Sequence, residues 1–149
     1  MPDLTICRLS VLVLLAACLA GCATQDLAPR RTCFHSKEAD EKAIGYCEAV
    51  RSGNLLYISG NVGKGEMSSA LRQAYDGIRR TLAANGLAFR DVVKETIFAT
   101  DLDALIRAKE VRKEYYGPDL PAATWVQVQR LYSPAAVIEV EVTAEYSAR

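Results

Sequence analysis

Histidine and tryptophan occur once each in these 149 residues, and the formal net charge is zero, with 18 Lys and Arg against 18 Asp and Glu. No basic block stands out. Binding to nucleic-acid phosphates draws on clustered cations, so the chain carries no nucleic-acid footprint. The sole histidine, His35, falls in a polar N-terminal stretch and reads as a solvated surface residue. No Ser-His-Asp grouping is therefore available. The segment containing Gly60, Gly63 and Gly65 lacks the Lys-Ser or Lys-Thr pair of a P-loop, which removes phosphate binding of that kind. Internal repeats and low-complexity tracts are absent. The apolar run over residues 11–20 is too short to be a permanent membrane span.

That short run ends in Leu19-Ala20-Gly21-Cys22, a leucine and two small residues before a cysteine. The pattern is a lipobox, where a signal peptidase cuts before a lipid-modified cysteine. Residues 1–21 are thus expected to be a lipoprotein signal peptide, with Arg8 as the only basic side chain ahead of the apolar core, and Cys22 to be the acylated N-terminus. Acyl chains supply membrane affinity through apolar burial. Ala23 stands where an aspartate would direct inner-membrane retention, so the expected location is the periplasmic face of a bacterial outer membrane. Residues 22–42 read as a polar tether, and residues 43–149 form a single domain.

Of five cysteines, Cys7 and Cys18 fall in the signal and Cys22 carries lipid. Cys33 and Cys47 remain. In an oxidising compartment they can pair as a disulfide, worth about 3 kcal/mol in the chain-entropy model. Two free thiols are a second reading. A metal site with His35 is a third, although no fourth ligand at zinc-like spacing supports it, and no metal is assigned.

The domain reads as ββαβαββ. Strand-like runs at 45–51 and 55–59 flank a Ser52-Gly53-Asn54 turn, and a loop follows over Gly60, Gly63 and Gly65. A helix capped by Ser68 or Ser69 ends at Asn85-Gly86, with Leu71, Ala74, Tyr75, Ile78 and Leu82 on one face. A strand over 91–100 leads to a helix capped by Asp101 and running to about residue 116. Strands over 123–131 and 137–146 complete an α+β domain, a mixed sheet with two helices on one face. Trp125 and the late-strand tyrosines are expected near the uncovered side. Such an open face favours a homo-oligomer.

Particular residues sit at the junctions of this pattern. They are Gly53 through Ile58-Ser59-Gly60, Asp91-Val92-Val93-Lys94-Glu95-Thr96 on to Thr100-Asp101, Leu120-Pro121-Ala122, and Ile138-Glu139-Val140-Glu141-Val142. In this order they resemble the RidA/YjgF family of reactive-intermediate deaminases. The resemblance covers about residues 43–146 and implies a chorismate-mutase-like fold, a homotrimer and ligand clefts between subunits. It also implies cofactor-free hydrolysis of 2-imino acids, or their enamine tautomers, to 2-keto acids and ammonia. Tyr46 matches a cleft tyrosine, Ser59 a cleft serine, and Glu139 the glutamate that positions or polarises water.

One match fails. Where family deaminases have the arginine that clamps the substrate carboxylate, this chain has Ala123, followed by Thr124 and by Trp125 in place of a cysteine. Alanine cannot supply the bidentate fork a carboxylate prefers. The expected catalytic residues are Glu139 and Tyr46. The expected ligand-binding set is Tyr46, Ser59, Ala123, Thr124, Trp125 and Glu139, acting on a small carbonyl or imine metabolite. A working imine deaminase and an envelope protein-interaction scaffold are the alternatives. The lipobox gives the first prediction: a Cys22→Ser variant keeps its uncleaved mass and gains no acyl mass, whereas the wild type shows the mass of a chain cut before an acylated Cys22, as read by intact-protein mass spectrometry.

Overall fold

The computed structural model describes residues 31–146; the signal segment, Cys22 and the expected tether up to residue 30 lie outside the described residues. Six strands form one sheet in the order β1-β2-β3-β6-β4-β5. They are β1 (Thr32–Phe34), β2 (Ala49–Ser52), β3 (Leu55–Lys64), β4 (Val92–Ala99), β5 (Ala122–Gln127) and β6 (Ala136–Glu145). Only β4 and β5 run parallel. The helices are α1 (Glu38–Ile44), α2 (Met67–Ala84), α3 (Leu102–Arg107) and α4 (Glu110–Tyr116). The mixed α+β architecture is the one expected.

Alternation along β6 separates the two sides of the sheet. Ile138, Val140, Val142 and Ala144 are buried in the core with α2, while Glu139, Glu141, Thr143 and Glu145 point the other way. Each large apolar side chain so buried contributes roughly 2 kcal/mol. The facing stripe of α2 is the expected one: Leu71, Ala74, Tyr75, Ile78 and Leu82 are fully buried. Its cap differs. Glu66, rather than Ser68 or Ser69, accepts the Ser69 amide, and its charge complements the helix N-terminus.

Three further expectations need correction. The segment expected as tether is partly domain: β1 pairs with β2, and α1 sits between them in the chain, so regular structure begins at Thr32 and the second strand only at Ala49. The Gly60–Gly65 loop is instead the far half of β3, which runs to Lys64. A bulge between Ile58 and Asn61 shifts the register against β6, so Ile58 and Asn61 both face the helices although three positions apart. Gly63 allows the close approach, because a methyl group there would strike the Ala70 backbone. The helix expected from Asp101 to residue 116 is broken at Ala108–Lys109, where bonds shorten to i, i+3 and both Leu105 and Val111 still reach the core.

Beneath the helices lies a buried charge. Glu95 on β4 is fully buried and accepts hydrogen bonds from Tyr75 Oη and Tyr116 Oη at 2.8 Å each and from Arg112 Nε at 2.7 Å. Burial and the neighbouring carboxylate push both phenols upward, so they remain donors. Arg112 also stacks over Tyr116 and Trp125. Breaking such a pair leaves an uncompensated charge. Arg112→Leu is expected to lose about 3–5 kcal/mol of stability, read as a fall in the urea midpoint at unchanged slope.

Candidate functional site

A cavity of about 570 Å³ lies where α1, α2 and the bulged half of β3 meet. That is the size of a small-molecule site. Tyr46, Glu48, Gly60, Asn61, Arg80 and Thr81 are among its lining residues. Tyr46 follows the turn at Gly45, whose φ of 97° is the left-handed conformation that ends α1. Its ring is partly exposed, and burial with the charges of Glu48, Glu41 and Asp40 raises its phenol, which therefore stays a proton donor at neutral pH.

The wall carrying Tyr46 is held by Glu41, which is 2% exposed. Its carboxylate accepts from His35 Nδ1 at 2.6 Å, from the amides of Ser36, Lys37 and Glu48, and from the Ser36 hydroxyl. Burial alone would raise this carboxyl, but the hydrogen bonds outweigh it and bring the pKa to about 2. His35 is consequently not the solvated linker residue expected from sequence; the carboxylate beside it draws it into a half-buried position. A Cys33–Cys47 disulfide closes the same segment, with Cα atoms 5.7 Å apart. Of the three readings left open for these cysteines, the structure takes the disulfide.

Gly60 joins two surfaces. It lines the cavity, and on the opposite sheet face the Glu139 carboxylate packs directly over it, so a methyl group at Gly60 would collide with that side chain. Burial and, after it, the charge of Glu141 raise the Glu139 carboxyl above the ordinary value. Such a group can hold or release a proton nearer neutrality. Ser59, at the bulge, donates to the Cys47 carbonyl at 2.7 Å, which ties β3 to the Tyr46 segment rather than leaving a free hydroxyl.

Ser59 and Gly60 form the bulge, with Tyr46 lining the cavity on one side of it and the Glu139 carboxylate over Gly60 on the opposite sheet face. Ala123, Thr124 and Trp125 are not with them. They lie on β5, at the opposite edge from β1, separated from β6 by β4. Their side chains alternate. Ala123 pairs with Glu95, and Trp125 turns toward the helices with Nε1 3.5 Å from Glu95, so Trp125 is not on the uncovered face as expected. Thr124 faces that open side and accepts from Lys94 Nζ at 2.6 Å. Sequence reasoning also missed Lys37, Glu48, Arg80 and Thr81. Glu48 accepts from Thr81 Oγ1 at 2.8 Å, a contact between distant segments that no local pattern displays. The cations that line the cavity are Lys37 and Arg80; Arg51, Lys109 and Arg130 are not among its lining residues.

A sequence model of the endoribonuclease L-PSP family matches residues 36–146, which is most of the chain and, Phe34 apart, all of the cavity lining around Tyr46. The chain belongs to this family, also known as RidA/YjgF. A RutC family protein of Pyrococcus horikoshii is 34% identical over 113 residues, spanning 69% of this chain and 89% of that protein. The human 2-iminobutanoate/2-iminopropanoate deaminase is 31% identical over 112 residues, spanning 68% and 81%. A YjgF/YER057c/UK114 family structure from Mycobacterium tuberculosis superimposes with a TM-score of 0.72 at 32% identity, covering 78% of this chain and 99% of that one.

The seat of Glu139 yields a prediction independent of any ligand. In the wild type the Glu139 carboxyl titrates above the ordinary glutamate value of about 4.3. Gly60→Ala displaces the side chain into water and brings the midpoint down toward that value, as read by carboxyl-carbon NMR.

Proposed function

We propose that this RidA/YjgF-family chain is a lipid-anchored envelope protein whose copies assemble as trimers and hold a small carbonyl or imine metabolite in clefts between them. Classical hydrolysis of 2-imino acids is weak in this reading. The observation that carries it is the pairing of a kept acid with a lost cation. Glu139 retains its seat on Gly60 beside the Tyr46 cavity, while position 123 holds alanine. A phenol donor and a carboxyl of raised pKa suit a carbonyl or imine, which asks for one hydrogen-bond donor and one proton-exchanging group. An anionic substrate asks also for a fork of N–H donors. Loss of one partner of a buried, hydrogen-bonded charge pair costs about 2–5 kcal/mol.

Assembly has its own support. Tyr57, Val62 and Val126 are exposed on sheet strands, with Phe98 half-buried on β4. Within one chain the Tyr46–Glu139 group and the β5 group sit on different strands, so a neighbour's β5 edge beside the first group would complete a cleft. The lipobox supports attachment through Cys22 at the periplasmic face of the outer membrane.

A second reading keeps full deaminase activity. Lys37 and Arg80 line the cavity with Tyr46 and would bind the substrate carboxylate in place of the absent arginine. The chemistry of deamination is addition of water across C=N and collapse of the adduct with release of ammonia; Glu139 would orient the water in the intersubunit cleft of the first reading, whereas the second leaves it on the sheet face opposite Lys37 and Arg80. The two readings separate on 2-iminobutanoate generated in situ. Wild type is expected to be slow, and Ala123→Arg to gain about 30-fold or more in kcat/KM, the rate equivalent of about 2 kcal/mol. Wild-type turnover equal to that of Ala123→Arg, and lowered by Arg80→Ala or Lys37→Ala, would overturn the binding reading in favour of the second.

A further inference from the structure

The disulfide has a feature that cross-linking alone does not need. His35 Nε2 lies 3.0 Å from Cys33 Sγ. Its other ring nitrogen is 2.6 Å from Glu41, the buried carboxylate that also takes three backbone amides. A carboxylate that accepts Nδ1–H fixes the ring and aims Nε2 at sulfur, as carboxylates do behind working histidines. Carboxylate, imidazole and sulfur therefore stand in line. The two sulfurs also differ in access: Cys33 is exposed on β1, while Cys47 is half-buried.

We propose that Cys33–Cys47 is a thiol–disulfide exchange site, with Cys33 as the outward-facing sulfur, Cys47 as its resolving partner, His35 as the proton partner of Cys33 and Glu41 as the residue that positions His35. The co-reactant is a small thiol or dithiol. One of its thiolates attacks Cys33 Sγ, the Cys33–Cys47 bond breaks, and Cys47 leaves as a thiolate that takes up a proton. A second thiolate then attacks the outer sulfur of the mixed disulfide. Cys33 leaves as a thiolate beside His35 Nε2, its proton partner. The dithiol is oxidised by two electrons to its disulfide, and the protein pair is reduced by the same two. In reverse, the Cys33 thiolate attacks an incoming disulfide and Cys47 resolves it. A thiolate paired with a cation is both the better leaving group and the populated nucleophile.

The exchange acts on the cavity. Between the two cysteines lie Phe34, Ser36, Lys37, Asp40, Glu41 and Tyr46, all lining residues. Opening the bond releases the covalent closure of that wall, so the thiol state of the surroundings sets how firmly Tyr46 is held. The charged and titratable neighbours are Glu41 and Glu38 on α1, which both act on His35, and Tyr46 beside Cys47.

The test uses purified oxidised protein and dithiothreitol without denaturant, with alkylation and mass spectrometry counting the thiols at Cys33 and Cys47. Reduction is expected within minutes, and His35→Gln is expected to slow it about tenfold. In the reduced wild type, Cys33 alkylation should follow a pH profile with its midpoint well below the ordinary thiol value of about 8.5, and Glu41→Gln should move that midpoint upward. Amide exchange over residues 34–46 should quicken on reduction while β3 and β6 stay protected. A disulfide that yields only in denaturant overturns the proposal. So does an unchanged rate in His35→Gln. If that variant does not fold, the wild-type profile decides, and a midpoint at the ordinary value overturns it.

Discussion

A six-stranded sheet with every helix on one side cannot close its own core on the other. Here the covered side takes Ile138, Val140, Val142 and Ala144 from β6 and the long stripe of α2. The other side keeps Tyr57, Val62 and Val126 in solvent, interleaved with Thr96, Thr143, Lys94 and two glutamates. Apolar area left in water on a small domain is a driving force for association. The proposed function rests on this constraint, because it makes a cleft between copies the natural place for residues that one chain holds apart.

Chemistry then divides along the sheet. The bulge at Ser59–Gly60 brings Glu139 onto a glycine that also borders the Tyr46 cavity, so the seat of the acid is set by backbone geometry. The far strand contributes no cation at position 123. What it does contribute is Trp125, turned inward above Glu95 and stacked on Arg112. The indole is thus accommodated against the buried network beneath β5. The buried Glu95 network and the buried Glu41 network play parallel parts. One ties α2 and α4 to β4, the other ties residues 35–37 to α1 and to the Glu48 amide just before β2, and each carboxylate is surrounded by donors.

Much of this was legible in the sequence where the physics is local. The α2 stripe and the β6 alternation follow from 3.6- and 2-residue periods, and the junction residues named the family. The N-terminal elements were not legible, because their order comes from a buried acid. Glu41 reads as one more charge in a polar stretch until five donors are seen to converge on it. The same holds for Glu95, whose partners Tyr75, Arg112 and Tyr116 lie far along the chain. Gly60 and Gly63 looked like loop punctuation, since sequence cannot distinguish a glycine needed for a turn from one needed for a close approach. Tyr46 and Glu139 were singled out through the family pattern, whereas Arg80 and Lys37 belong to no motif and appear only when the cavity is assembled.

Sedimentation equilibrium of the purified protein expressed from residue 23, without signal or acyl group, at micromolar concentrations and in the absence of lipid, bears most directly on this account. It predicts one species with the mass of three copies, held together across the uncovered sheet faces. A single-copy mass throughout the same concentration range would contradict it, since the acid and phenol of one chain would then never meet the β5 edge of another.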